Sequence, residues 1–268
     1  MKININGLQF AYDIRGRTGP PLVLLHGFGM DRSIWEDLVE SQLGDQQVIL
    51  PDLRGHGESD APEGPYSMSL MAADLGYLLD ALGIEQAIVC GHSMGGYVAL
   101  AFAELHPHLL AGLGLITTNA QADPEEKRAG RFTLIDQVRE RGSVAVAESL
   151  APRLSSNPAV MQQAQHLISS IAPQGLIGAL AGMAERPDRT DLLPQVNVPA
   201  LVVAGEADQI TDFKTAKAMA DVLPQGEFLG IPGVGHLPMS EAAAELGQGL
   251  RSLVARVTDF LDHIEFIS

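Results

Sequence analysis

The chain is short of cysteine, of basic charge and of long apolar runs. Its 268 residues include one cysteine, Cys90, so no internal disulfide can form and a disulfide-stapled secreted scaffold is excluded. Lysine and arginine number 17 against 33 acidic residues, for a net charge of −16. A surface this negative repels phosphate backbones and anionic headgroups, so neither nucleic acid nor a membrane is an expected partner. The greasiest stretch, residues 175–184, is too short and too Gly-rich to span a bilayer. Residues 1–6 alternate polar and apolar and lack the apolar run of a signal peptide. A cytoplasmic location is the resulting expectation. The chain has no His-x-x-x-His pair, no cysteine cluster and no phosphate-cradling glycine loop, so neither a metal nor a cofactor is expected.

What is present is enough apolar material for a packed core. Hydrophobic residues are 46% and charged residues 19%, which excludes a disordered or fibrous chain. Residues 2–6 and 8–14 read as a hairpin about Gly7. Short apolar runs at 22–25, 48–50, 87–90, 113–116 and 201–204, with a further one near 227–229, suit buried strands. Between them lie amphipathic stripes. Met71, Leu75, Leu78, Leu79 and Leu82 share one helical face, as do Met94, Val98, Ala101, Phe102 and Leu105. Leu246, Leu250, Leu253, Val254, Val257, Phe260 and Ile264 form a third stripe. This alternation predicts an α/β fold with a mostly parallel sheet flanked by helices.

Residues 119–190 break the alternation and read as helices alone. Asp123-Pro124 and Asn157-Pro158 each pair a capping residue with proline at the first helical position. The expected organisation is a core of residues 1–118 and 191–268, with 119–190 as an inserted helical cap. The cap would sit over the C-terminal edge of the sheet, where open α/β sheets bind ligands.

Gly91-His92-Ser93-Met94-Gly95 lies between an apolar strand and an amphipathic helix, the context of a nucleophile elbow. A serine hydroxyl needs a base to take its proton, and the base needs an acid to orient it. His236, in the loop Gly233-Val234-Gly235-His236-Leu237-Pro238, is the expected base. Asp208, in Gly205-Glu206-Ala207-Asp208, is the preferred acid, with Glu206 as its local competitor. Residues 117–119, after the preceding strand, offer no carboxylate. An oxyanion would need two donors: the backbone N–H of Met94, and that of Phe28 in His26-Gly27-Phe28-Gly29. Pocket candidates are His26, Gly27, Gly29, Trp35 and His92, with Trp35 equally able to pack a helix. Cys90 reads as a small buried hydrophobe.

These motifs, together with Asp52-Leu53-Arg54-Gly55-His56-Gly57-Glu58-Ser59, resemble the α/β-hydrolase fold family along essentially the whole chain. The resemblance implies that the 52–59 loop is structural, with Arg54 an organiser and His56 non-catalytic, and that His26 orients its own loop. Serine at the elbow sets the chain apart from the haloalkane dehalogenases and epoxide hydrolases, which use aspartate there. The leading expectation is a cofactor-free serine esterase of class EC 3.1.1 acting on a small to medium ester, with Leu-, Ile- and Met-rich helices such as 161–183 around an apolar group. An enol-lactonase or a C–C bond hydrolase with the same triad is the alternative within enzymes. Leu237-Pro238-Met239, with no aromatic residue after the histidine, disfavours the C–C hydrolases. A small-molecule receptor or signalling partner with little turnover is the alternative outside them.

Overall fold

A computed structural model describes residues 1–265. Strands β1 (Lys2–Ile5) and β2 (Leu8–Arg15) form the expected hairpin. Asn6 and Gly7 both have positive φ, 52° and 84°, as a two-residue turn matching strand twist requires. β3 (Thr18–Leu25), β4 (Gln46–Pro51), β5 (Ala87–His92), β6 (Leu110–Ile116), β7 (Ala200–Gly205) and β8 (Gly226–Ile231) complete one eight-stranded sheet of order β1-β2-β4-β3-β5-β6-β7-β8. The β1–β2 and β2–β4 pairs are antiparallel, and every other pair is parallel. β5, β6 and β7 are buried at every position, which explains why they read as continuous apolar runs rather than as alternation.

The longer helices are α1 (Met68–Ala81), α2 (Met94–Leu105), α3 (Glu125–Arg141), α4 (Val144–Leu154), α5 (Pro158–Ser170), α6 (Pro173–Ala184), α7 (Phe213–Val222) and α8 (Ala243–Glu265). α2 packs on β3, β5 and β6 and against α1, while α8 packs on β3, β6 and β7. The apolar stripes are the buried faces: Met71, Leu75, Leu78 and Leu79 of α1 are buried, as are Leu246, Leu250, Leu253 and Val257 of α8. Leu105 departs from its stripe and is 45% exposed, because α2 ends there. Ile264, the last member of the C-terminal stripe, lies outside the residues whose side chains are described. No single helix among the described residues is long and apolar enough to cross a membrane.

α3 to α6 follow one another between β6 and β7. Asn157 caps α5 through the amide of Ala159, as its sequence suggests. Asp123 does not cap α3. Its carboxylate is fully buried, ion-paired with Arg131 and with Arg186 at 2.8 Å, with Lys127 at 3.8 Å. Burial acts to raise the Asp123 pKa, but Arg131 and Arg186 more than reverse it and hold the carboxyl below its usual range. The buried Arg186 also stacks 4.0 Å from the ring centre of Tyr97, on α2. Both ends of the helical block are thereby tied together and to α2. Removing Asp123 would strand that guanidinium, and loss of one partner of a buried pair costs about 3–5 kcal/mol. Asp123→Ala should therefore lower the melting temperature by roughly 10 °C. An unchanged melting curve would contradict the tie.

The strand order places the loops that carry the candidate residues. β3 and β5 are neighbours in parallel register, Leu25 opposite Gly91, so the loops after them emerge side by side where the order reverses. His92 pairs with Ile116, Ile116 with Val203, and Gly205 with Ile231. The ends of β5 to β8 thus line up, and the loops carrying Ser93, Asp208 and His236 leave one edge.

Candidate active site

Ser93 occupies the turn between β5 and α2 with φ 52° and ψ −113°. Positive φ is strained for a residue with a side chain, and surrounding contacts hold it. The Ser93 amide donates to the Ile116 carbonyl at 2.9 Å, and the Thr118 hydroxyl donates to the Ser93 carbonyl at 2.7 Å. The turn admits no side chain at its flanks: a Cβ on Gly91 would lie 2.0 Å from the Gly95 oxygen, and one on Gly95 2.6 Å from the Leu25 oxygen.

His236 and Asp208 form a buried pair, with His236 Nδ1 to Asp208 Oδ2 at 2.8 Å and side chains 2% and 1% exposed. The other carboxylate oxygen, Oδ1, accepts the amides of Ile210 at 2.8 Å and Thr211 at 3.2 Å. Asp208 is thus fixed by its own loop. Glu206, the competitor, is exposed. With Nδ1 donating to Asp208, His236 Nε2 is left as the basic nitrogen. Ser93 and His236 line one cavity, and among the described residues no hydrogen bond joins them. In enzymes of this kind such hydrogen bonds are often long without substrate.

The backbone under His236 is also held. Its carbonyl accepts from His92 Nε2 at 2.8 Å and from the Thr117 hydroxyl at 3.1 Å. Its amide donates to the Leu154 carbonyl of α4 at 2.7 Å. The segment without a carboxylate, 117–119, therefore serves as a brace: Thr117 under the histidine and Thr118 under the serine.

The 26–29 loop is organised by two further histidines. His26 Nδ1 donates to the Gly27 carbonyl at 2.9 Å, and its Nε2 accepts the Leu53 amide at 2.9 Å. His56 Nε2 accepts the Gly29 amide at 3.3 Å, and its Nδ1 donates to the Arg54 carbonyl at 3.0 Å. Arg54 itself grips Asp74 with two hydrogen bonds, 2.8 and 2.6 Å.

Burial is the main reason these imidazoles stay neutral. It lowers His26 to about 4; it lowers His56 to about 3, with His26 adding to the effect; and it puts His92 well below its ordinary value. An unfolded chain protonates its histidines near pH 6.5, whereas the folded chain keeps His26 and His56 neutral down to about 4 and 3. Between those limits the unfolded state binds more protons, so stability is full above pH 6.5 and falls as pH drops. At pH 5 the loss is about 2 kcal/mol for each of His26 and His56. The melting temperature should drop by roughly 10 °C from pH 7 to pH 5. A flat profile would contradict the buried neutral rings.

A cavity of about 440 Å³ opens over this edge. The sheet side supplies Phe28, His92, Ser93, Tyr97 and His236. Of the pocket candidates, His92 lines it, but His26, Gly27, Gly29 and Trp35 do not. His26 spends both ring nitrogens behind the loop, and the fully buried Trp35 packs edge-on to His92 at 6.4 Å. Gly27 sits directly against the elbow, where a Cβ would come 3.4 Å from that of Ser93. The helical wall also departs from expectation. Of residues 161–183 only Leu180 and Met183 reach the cavity; most of that wall comes from 127–154 in α3 and α4. No sequence signal marked those residues, because α3 is polar nearly all round, with only Ile135 and Val138 buried.

The family model of the alpha/beta hydrolase fold matches residues 20–243, and the chain belongs to that family. A thermophilic esterase from Thermogutta terrifontis superimposes with TM-score 0.91 at 39% identity, over 96% of this chain and 98% of that one. The enol-lactonase from Burkholderia xenovorans gives TM-score 0.88 at 25% identity, over 95% and 100%. The dihydrolipoyllysine-residue acetyltransferase component of the acetoin cleaving system of Pseudomonas putida is 32% identical over 91% of this chain. The match spans 66% of that longer protein.

Proposed function

We propose that this chain hydrolyses a small to medium carboxylic ester through an acyl-enzyme on Ser93. The observation that carries the reading is the buried His236–Asp208 pair opening on the same cavity as a serine held at φ 52°. His236 Nε2 takes the Ser93 proton as Oγ attacks the carbonyl carbon, then returns it to the departing alkoxide. A water deprotonated by the same nitrogen then attacks the acyl carbon; the bond to Ser93 Oγ breaks, the acid leaves, and Nε2 returns the proton to Oγ. Asp208 holds the imidazole with Nε2 toward the serine and stabilises the imidazolium.

The amides of Met94 and Phe28 receive the oxyanion in this reading. Met94 opens α2, where an amide has no carbonyl one turn back to bond. The Gly27 carbonyl accepts from His26 Nδ1 and the Met30 amide. In a planar trans peptide the Phe28 N–H points the opposite way. The Gly29 amide is already donated to His56. The block 119–190 acts as a cap that walls the site.

Carboxylic-ester hydrolysis agrees with the esterase and enol-lactonase relatives. A lactone is the second reading, favoured by the enol-lactonase likeness; its leaving oxygen stays tethered to the acyl group but uses the same proton path. The test is a panel of p-nitrophenyl esters and lactones of graded size. Sustained turnover, absent in Ser93→Ala, is expected. A single stoichiometric burst with no further turnover would instead indicate a receptor.

A further inference from the structure

The cavity wall has the opposite charge bias to the rest of the chain. The protein carries 33 acidic and 17 basic residues. Among the described residues lining the cavity, however, Lys127, Arg131 and Arg153 are cationic and none is acidic. Lys127 and Arg131 lie one turn apart on α3. Arg153 lies on α4 beside Leu154, whose carbonyl holds the His236 amide. The cations therefore line, from α3 and α4, the same cavity that Ser93 and His236 line.

Their charge is not balanced locally. Asp123 is the only carboxylate ion-paired with Arg131 or Lys127 among the described residues, and it is shared with Arg186. Three cations thus meet one anion. The neighbouring acids Glu125 and Glu185 are both taken by Arg128. Arg153 has no carboxylate partner among the described residues, only a 3.4 Å contact to the Gln209 carbonyl. Arg131 is mostly screened from solvent, with its side chain 14% exposed, so its field acts through the protein interior as well as through water. The same cavity wall includes the apolar side chains of Leu134, Leu150, Leu180 and Met183. They suit a short carbon chain linking the reacting carbonyl to a distant charge.

Resting on the serine-hydrolase reading above, we propose that the substrate is an ester or lactone bearing a free carboxylate, bound by Lys127, Arg131 and Arg153. A short acyl chain with a terminal carboxylate would put its carbonyl at Ser93 and its charge under α3 and α4. The cations give binding energy remote from the reacting bond, which selects among esters without taking part in proton transfer.

The experiment compares monoethyl esters of succinic, glutaric and adipic acids with the matching diethyl esters, followed by acid release. Esters of hydroxy acids, with the carboxylate in the alcohol half, form the second arm and tell which end carries the charge. The expected wild-type result is a kcat/KM for one anionic arm at least about tenfold above its neutral counterpart at low salt. That preference should shrink as salt is raised to about 0.5 M, where screening shortens the reach of charge.

Arg131 is unsuitable as the test position because its largely buried guanidinium bonds both Asp123 oxygens, whereas the more exposed Lys127 reaches that carboxylate only at 3.8 Å. Lys127→Gln with Arg153→Gln alters only half-exposed or exposed side chains, and melting curves check that the fold survives. The preference should fall toward unity in this double variant. Neutral esters favoured in the wild type, or an unchanged ratio in the double variant, would overturn the proposal while leaving the serine mechanism standing. If the wild type turns over neither class, the serine-hydrolase reading fails on its own. The anion site is then read by calorimetric titration with glutarate: binding weakened at least about tenfold in the double variant sustains it, and no wild-type binding overturns it.

Discussion

Ser93→Ala should lower kcat/KM on every ester tested by about 10⁴- to 10⁶-fold. In the proposed mechanism the substitution removes the attacking oxygen, while the amides of Met94 and Phe28 and the cavity remain. A residual rate above that in water, up to about 10³- to 10⁴-fold, is therefore expected from oxyanion binding alone. Alanine is strained at φ 52° as serine is, and the backbone contacts to Ile116 and Thr118 do not use the hydroxyl. The melting temperature should change little, which separates lost chemistry from lost fold. Activity near that of the wild type would remove Ser93 from the mechanism.

Asp208→Asn should cost about 10³- to 10⁴-fold in kcat, for a reason visible in the loop. Oδ1 of Asp208 accepts the amides of Ile210 and Thr211. An asparagine must turn its oxygen toward those two donors, which leaves its NH₂ facing His236. Two donors cannot share one bond, so Nδ1 becomes the acceptor and the ring proton moves to Nε2. The imidazole then has no lone pair for the Ser93 proton. The fold keeps its contacts, so circular dichroism and substrate affinity should change little while kcat collapses. A kcat within tenfold of the wild type would show that the tautomer does not matter and that Asp208 is not the orienting acid.

Much of the sheet edge was readable in the sequence because it depends on local demands. Gly91 and Gly95 stand where any Cβ would strike backbone. The short apolar runs of β5 to β7, bounded by Gly, Pro or Asp, suit strands buried on both faces. Asp208 follows the end of β7 with no rival carboxylate after β6. The cavity wall was not readable, since it depends on which side of each helix turns inward. α3 has too weak an apolar stripe to announce its orientation, and the apolar α5 and α6 drew attention that belonged to α3 and α4. Asp123-Pro124 has the form of a helix cap, but the carboxylate goes to Arg131 and Arg186, 8 and 63 positions along the chain. No local rule weighs a distant ion pair against a cap. Trp35 fills a core site, and the 26–29 loop keeps its histidine behind the wall because both ring nitrogens are needed there.

The most direct measurement is the mass of the protein after reaction with a fluorophosphonate, which phosphonylates an activated serine hydroxyl. One phosphonyl group per chain, located on Ser93 and rising in step with loss of esterase activity, is the expected result. Asp208→Asn should react far more slowly, and Ser93→Ala should remain unlabelled. Inactivation with Ser93 unmodified, or full activity with Ser93 phosphonylated, would contradict the proposal that this serine, served by His236 and Asp208, is the nucleophile.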